Sequence, residues 1–287
     1  MTGVLTQARK RFHDNLVAKH TLSLSEGGVA SNADGNQNTS KAIALRIARD
    51  LKALTIPEKL NGQRAGKQFE MAVESFLQET FPALQSLRPG SWRIENVGGS
   101  RSGYQIAKYE PYTHLDNLAN AIEANPTLAS VLGNSYEISP DVLVLRHPEP
   151  DDVINSQGNI VDADSASYAV IRRANQDRAI VHAIVSCKWT LRSDRAQNAR
   201  SEALNIIRNR KGRTPHIAVV TGEPTPSRLA SLALGTGDID TVYHFALPEL
   251  IDAVEHTGND EAISMLSILV DGKRLRDISD LPLDLAV

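Results

Sequence analysis

The sequence predicts an α/β protein whose mixed central sheet is flanked by helices. From residue 180 onward, apolar strand-like runs alternate with amphipathic helical segments, which is the order of a partly parallel sheet covered by helices. A hydrophobic fraction of 41% in 287 residues is enough to fill a sizeable core. We therefore expect one domain over 1–287, with N-terminal helical segments and an irregular polar insertion near 147–178.

The first third of the chain predicts three helices. Apolar residues recur at helical spacing over 4–19, from Ile43 to Leu54, and after Gly66. A polar loop at 23–40, which contains Asp34, separates the first helix from the second. In the third helix Glu70 and Glu74 lie one turn apart, and two carboxylates at that spacing usually belong to a solvated face.

The middle of the chain predicts two strands with a helix between them. Residues 92–97 and 139–146 have strand character, and 114–124 has helical spacing. Asp141 stands at the mouth of the second strand, which is too apolar to be anything but buried. A carboxylate there is either a turn cap or a functional group at the edge of the sheet.

The most informative stretch begins with a buried strand over 184–190. Alternate side chains of a strand share a face, so Ser186 and Lys188 point one way and Cys187 the other. Ser193 or Asp194 then stands where a cap belongs, before a helix expected from about 195 to 210. Further strands are expected at 216–221 and 240–245, and further helices after 224 and near 247–256 and 260–270.

Charge is distributed unevenly along the chain. The net charge is −3, yet residues 188–213 hold eight basic and two acidic side chains, so the remainder must be strongly acidic. A basic stripe on an acidic body is typical of a protein with one DNA-facing side, although a solvated helix gives the same pattern. Lysine beside a metal-bound carboxylate suits phosphodiester chemistry, and arginine and aspartate match the edges of guanine and cytosine.

Several function classes find no support in the sequence. One cysteine rules out an intrachain disulfide and a cysteine metal cage, and the histidines lack metal-ligand spacing. Dinucleotide, phosphate-loop and Gly-x-Ser-x-Gly motifs are missing. No signal peptide or membrane-length apolar run is seen, so we expect a cytoplasmic protein without membrane contact.

The order Pro140-Asp141, Ser186-Cys187-Lys188, Glu202 resembles the PD-(D/E)xK nuclease pattern. More closely, the chain resembles the NgoMIV type of type II restriction endonucleases over nearly its whole length. The likeness is densest at 31–35, 186–202, 223–228 and 277–287. Ser186 departs from the common pattern, where Asp or Glu is usual, and Glu202 matches the acid that this subgroup carries on the following helix.

The resemblance implies a restriction-endonuclease-like core and Mg²⁺-dependent cleavage of double-stranded DNA. It implies a palindromic site with a CCGG core, namely GCCGGC, 5′ overhangs, and a homodimer that assembles into a homotetramer on two sites in a prokaryotic cell. The implied catalytic residues are Asp141, Lys188, Glu202, Glu70 and Ser186, and the implied metal ligands are Asp141, Glu202 and the main-chain carbonyl of Cys187. The implied base readers are Arg192, Asp194 and Arg195 for CCGG, and Asp34 and Arg228 for the outer pair.

Two alternatives to a restriction enzyme stay open at this point. A repair or junction nuclease of the same fold would share the carboxylates and the lysine but would not need the Arg-x-Asp-Arg segment at 192–195. A non-catalytic DNA-binding protein would read a sequence without needing Asp141, Lys188 or Glu202. Cleavage at one fixed sequence would distinguish a restriction enzyme from a repair or junction nuclease. Dependence on Mg²⁺ would distinguish it from a non-catalytic DNA-binding protein.

Overall fold

A six-stranded mixed sheet forms the centre of the computed structural model. The structure describes residues 2–58, 60–98, 105–125, 127, 130, 138, 140–191, 193–235 and 237–287, with the main chain only at 193–196. Within these residues the strands lie in the order β1 to β6. Their bounds are β1 Trp92–Asn96, β2 Val142–Arg146, β3 Ile180–Lys188, β4 His216–Thr221, β5 Thr241–His244 and β6 Leu275–Asp277.

Strand direction divides the sheet into two halves. β1, β2 and β3 pair antiparallel, whereas β3, β4, β5 and β6 pair parallel. The predicted α/β class with a mixed sheet is thus confirmed. The central strands are mostly apolar because both faces are covered, and residues 181–187 of β3 are all buried.

Ten α-helices lie in the described part of the chain. Their bounds are α1 Val4–Ala18, α2 Asn38–Asp50, α3 Gly62–Thr80, α4 His114–Ala124, α5 Asp151–Ile154, α6 Ser193–Asn209, α7 Pro226–Ala233, α8 Leu247–His256, α9 Asp260–Asp271 and α10 Leu281–Asp284. Short 3₁₀ helices occupy Phe81–Leu84 and Gln105–Lys108. None of these helices is long and apolar enough to cross a membrane.

Several element boundaries differ from the prediction. α2 ends at Asp50, because Lys52 takes a left-handed conformation, and Leu54 is 53% exposed rather than part of an apolar face. α3 begins at Gly62, earlier than predicted, because the Asn61 side chain caps it. β3 begins at Ile180, four residues before the predicted start, and ends at Lys188.

The polar segment 147–178 contains little regular structure. It holds the single turn of helix α5 and an isolated bridge between Glu149 and Arg172. Arg172 is buried and organises the segment: its guanidinium donates to both carboxylate oxygens of Asp151, at 2.8 and 2.7 Å. Hydrogen bonding of this kind lets a segment hold one shape with few apolar residues.

Candidate active site

The antiparallel pairing of β2 and β3 places the residue before β2 beside the end of β3. That residue is Asp141, and its Oδ2 accepts three hydrogen bonds from β3. The donors are the Cys187 main-chain nitrogen at 2.7 Å, Lys188 Nζ at 3.0 Å and Ser186 Oγ at 3.4 Å. Four of the residues singled out in the sequence therefore meet at one point.

Lys188 keeps its charge at this site. Burial by itself lowers the pKa of Lys188, but the negative charges of Asp141 and Glu202 and the hydrogen bond to Asp141 raise the pKa above its ordinary value overall. The ammonium group is thus a fixed positive charge at neutral pH. It suits the stabilisation of negative charge better than the removal of a proton.

Glu202 enters the site from α6. Ala199, Ala203 and Ile206 of that helix are buried, and they set the rotation of the helix that turns Glu202 towards β3. Burial raises the pKa of the Glu202 carboxyl to about 7. The positive charge of Lys188 opposes this rise, and the negative charge of Asp141 adds to it. Glu202 Oε1 is shielded from solvent and has no hydrogen-bond partner among the described residues.

Glu70 approaches from α3, behind the strands. Burial, followed by the charge of Asp141, raises the pKa of its carboxyl, so it does not behave as part of a solvated face. Lys67, which the sequence did not single out, holds it in place. Lys67 Nζ lies 3.2 Å from Glu70 Oε2, 2.6 Å from Asn96 Oδ1 and 2.7 Å from the carbonyl oxygen of Gly98.

The donor set at this site fits a hard cation with oxygen ligands. The hydrogen bonds from β3 to Asp141 all go to Oδ2, while Oδ1 faces Gly98 on the side of Glu70. The buried Glu202 Oε1 likewise lacks a protein donor in the part of the chain described. In that same part no three His, Cys, Asp or Glu side chains cluster as a metal site, so the fit rests on two carboxylates and a main-chain carbonyl.

A second cluster lies beyond the end of β3. Arg228 at the start of α7 forms an ion pair with Asp34, through Nη2 and Oδ2, and its Nη1 donates to the carbonyl oxygen of Leu191 at 3.0 Å. The pair borders a cleft of about 290 Å³ that Trp189 and Thr190 also line. Asp34 and Arg228 are far apart in the sequence, and the resemblance implies that both read the outer base pair. In the structure they are in contact.

Glu223 is a further member of this cluster, and the sequence analysis gave it no role. It is 1% exposed, its Oε2 accepts from the Leu191 nitrogen at 2.9 Å and its Oε1 accepts from the Thr225 nitrogen at 3.1 Å. Arg228 Nη1 lies 3.8 Å from the same Oε2. A glutamate in a proline-rich loop predicts exposure, so no local signal marks this buried anchor.

The three central base readers implied by the resemblance are only partly visible. Arg192 lies outside the described residues, and for Asp194 and Arg195 only the main chain is described. That main chain is helical, because α6 begins at Ser193 rather than near Arg195. Both residues therefore stand in the first turn of α6, a few residues after Lys188.

Comparison with known proteins identifies the class. The model of the NgoMIV restriction enzyme family matches residues 12–287. The type II restriction enzyme NgoMIV of Neisseria gonorrhoeae is 51% identical over 287 residues, which cover 100% of both chains. The chain is thus a type II restriction endonuclease, a site-specific nuclease. It belongs to the NgoMIV restriction enzyme family.

The chain was also compared with solved structures. The PspGI restriction endonuclease in a substrate DNA complex is 14% identical, with a TM-score of 0.25, and the match covers 99% of this chain and 92% of that chain. A likeness of this size supports no conclusion about the site.

Proposed function

We propose that the enzyme cleaves double-stranded DNA at GCCGGC with the help of Mg²⁺ and leaves 5′ overhangs. The observation that carries the chemistry is the contact between Lys188 and Asp141 beside Glu202, whose Oε1 is shielded from solvent and has no partner among the described residues. The 51% identical relative is named as a type II restriction enzyme, which supports sequence-specific cleavage. The site sequence and the overhangs follow from the family resemblance.

Asp141, Glu202 and the Cys187 carbonyl are the groups that would hold Mg²⁺. When bound, the ion would polarise the scissile phosphate and lower the pKa of a water molecule. Lys188, held charged by the two carboxylates, would stabilise the negative charge that develops on the phosphate. Ser186 would orient Asp141 through its hydrogen bond to Oδ2. Glu70 would act on Asp141 from the side of α3.

Asp34 and Arg228 are proposed to read the outer G·C pair. Arginine donates two hydrogen bonds to guanine, and aspartate accepts one from the amino group of cytosine. Their ion pair places the donor and the acceptor side by side, as the two halves of one base pair require. Glu223 supports this arrangement, since it anchors both Leu191 and the start of α7.

Arg192, Asp194 and Arg195 are proposed to read the central CCGG. The main chain of Asp194 and Arg195 stands at the start of α6, and the start of a helix is a common position for readers of the major groove. A palindrome needs a reader with two-fold symmetry, so we assign a homodimer, paired into a homotetramer as the resemblance implies. The enzyme would act on DNA in the bacterial cytoplasm.

The first test compares wild-type enzyme with Asp141→Ala and Lys188→Ala on plasmids that carry one or two GCCGGC sites. Each variant should lose cleavage by at least about 10³-fold, because a metal ligand or the balancing charge is lost. Binding to a GCCGGC duplex, measured by gel shift, should remain. EDTA should stop the wild type, and the two-site plasmid should be cut faster if two dimers act together.

The control for this test is Arg49→Ala, an exposed position at the end of α2, far along the chain from the site. It should cut like the wild type. Cleavage retained by Lys188→Ala or Asp141→Ala would remove these residues from the mechanism. Cutting at unrelated sequences would favour a repair or junction nuclease, and binding without any Mg²⁺-dependent cutting would favour a non-catalytic protein.

The second test concerns the outer base pair. Arg228→Ala should lower kcat/KM on GCCGGC by about 5- to 150-fold, which corresponds to roughly 1–3 kcal/mol for the lost contact to guanine. On sites that keep CCGG but change the outer pair, kcat/KM should fall by a smaller factor. Cleavage rates on matched oligonucleotide duplexes measure this difference. An equal loss on every duplex would instead mark Arg228 as a phosphate or folding contact.

A further inference from the structure

A basic cavity lies at the opposite end of strands β2 and β3 from the candidate active site. Asp141 precedes β2 and Arg146 ends it, so roughly 17 Å of strand separates the two at about 3.3 Å per residue. Ile180, the first residue of β3, pairs with Arg146 at this end of the strands. The cavity has a volume of about 440 Å³, which is within the range of small-molecule sites.

Four cationic side chains and one carboxylate line this cavity in the described part of the chain. We call it the basic cavity; its cations are Arg88, Arg146, Lys211 and Arg213. The carboxylate is Glu110, whose Oε1 already accepts a hydrogen bond from the Thr113 hydroxyl at 3.2 Å. The cavity thus has a net positive charge.

The cations are poorly compensated by the protein. Among the described residues, Arg88, Lys211 and Arg213 have no carboxylate within ion-pair distance, and the nearest for Arg146 is Glu149 at 3.6 Å. The Nε atoms of Arg88 and Arg146 are shielded from solvent without a partner in the same residues. Unpaired buried donors and gathered like charges cost free energy unless an anion is bound.

Neighbouring titratable groups respond to the same positive field. Burial, then the charges of Arg213 and Arg146, lower the pKa of Arg88. Burial lowers the pKa of His182 on the cavity wall to about 4, and the charges of Arg213 and Arg88 add to the effect, so this ring is neutral at pH 7. The positive charge therefore comes from the four cations alone.

Contacts within the fold hold three of the segments that carry these cations. Arg146 is on β2, where its guanidinium also stands 5.6 Å from the ring centre of Trp92. The main-chain oxygen of Arg88 accepts from Trp92 Nε1 at 3.1 Å. Lys211 donates its main-chain nitrogen to the carbonyl oxygen of Pro111 at 3.1 Å, which ties the loop before β4 to the cavity wall.

From this geometry we infer that the basic cavity binds a phosphate group carried by a small organic molecule. Three guanidinium groups match the oxygens of a phosphate through paired hydrogen bonds. Five apolar residues of the wall would contact the organic part; they are Pro111, Val170, Ile171, Ile180 and Val181. The inference does not depend on the proposed cleavage chemistry.

The test measures the affinity of the full chain for inorganic phosphate by calorimetry in EDTA, at constant ionic strength. Wild type, Arg88→Ala/Arg213→Ala and the control Arg49→Ala are compared, each checked for its fold by circular dichroism. The double variant should bind phosphate at least tenfold more weakly, and Arg49→Ala should match the wild type.

A second arm distinguishes a free phosphate ester from the DNA backbone as the source of the phosphate. It measures binding of a duplex without CCGG to the same proteins. Weaker duplex binding by the double variant would assign the cavity to the DNA backbone and overturn the small-molecule ligand. Unchanged duplex binding together with weaker phosphate binding would support a free ester. If phosphate binding does not differ between the wild type and the double variant, the inference is wrong.

Discussion

At the scale of single residues, the candidate active site depends on a position without a side chain. A Cβ atom placed on Gly98 would lie 2.8 Å from Glu70 Oε2 and 3.4 Å from Asp141 Oδ1. The first distance is too short for any real contact, and the same Oε2 also accepts a hydrogen bond from Lys67 Nζ at 3.2 Å. The glycine therefore permits the close approach of Glu70 to Asp141.

We expect Gly98→Ala to lower kcat at least tenfold with little change in DNA affinity, because Glu70 must move away from Asp141. Single-turnover cleavage and gel shift on the same duplex measure the two quantities. Gly66→Ala is the matched control, since a Cβ at Gly66 in α3 would meet nothing within 4 Å. That variant should keep its activity and gain roughly 0.5–1 kcal/mol in stability. Equal kcat in Gly98→Ala and wild type would contradict the role given to Gly98.

At the scale of elements, α3 joins the N-terminal helices to the site. Its buried face includes Phe69 and Phe76, which contact Phe12 of α1, and Phe69 also packs on Trp189 just after β3. Glu70 follows Phe69 directly, so the packing of the aromatic face sets the direction of the carboxylate. Asn61 fixes where this helix starts, since its side chain accepts from the Arg64 nitrogen at 2.8 Å.

We expect Asn61→Ala to lower the free energy of unfolding by about 0.5–2 kcal/mol through the loss of this cap. Urea unfolding followed by circular dichroism measures the change. Gln37 precedes α2 in the same position but makes no capping hydrogen bond, so Gln37→Ala should leave stability nearly unchanged. Similar losses in both variants would show that the hydrogen bond of Asn61 is not the cause.

At the scale of the whole molecule, one arginine ties the first helix to the C-terminal elements. Arg9 of α1 makes two hydrogen bonds to Glu249 of α8, at 3.0 and 2.6 Å, and two to Asp277 of β6, at 2.9 and 3.0 Å. Burial alone would raise the pKa of both carboxyls, but the hydrogen bonds and charge of Arg9 lower them overall. The network is therefore stabilising only while both carboxyls are ionised.

We expect Arg9→Ala to cost roughly 3 kcal/mol at pH 7, because two partly buried carboxylates lose their partner. Since the carboxyl pKa values are lowered in the folded state, their contribution is complete above the ordinary values of 3.8 and 4.5 and is lost as the pH falls through the lowered ones. The difference between wild type and Arg9→Ala should thus shrink below about pH 4.

Thermal unfolding between pH 3 and pH 7 measures this pH dependence. Arg11→Ala breaks the exposed pair with Glu79 and is the control, because exposed ion pairs contribute little. It should follow the wild type across the whole range. A constant difference between Arg9→Ala and the wild type at every pH would show that lost packing, not the ion pairs, is responsible.

Much of the fold could be predicted locally. The bounds of α4 and β4 match the predicted ranges residue for residue, and the bounds of α1, α8 and α9 come within one residue. These elements have a clear apolar period and nothing that competes with it. β6 and α10 were not predicted, since three residues and a single turn are too short for any period to emerge.

The sequence by itself determined the class of fold, a buried strand that contains Ser186, Cys187 and Lys188, and, through its resemblance, the family. Only the tertiary structure decided that Asp141 accepts a hydrogen bond from the Lys188 ammonium, that the side chain of Glu70 is half-buried, and that Glu223 anchors the segment beyond β3. The physical reason is that hydrophobic period is a local property of the chain. Burial, hydrogen bonding and pKa depend on which distant strands and helices pack together, here above all on β2 lying antiparallel to β3.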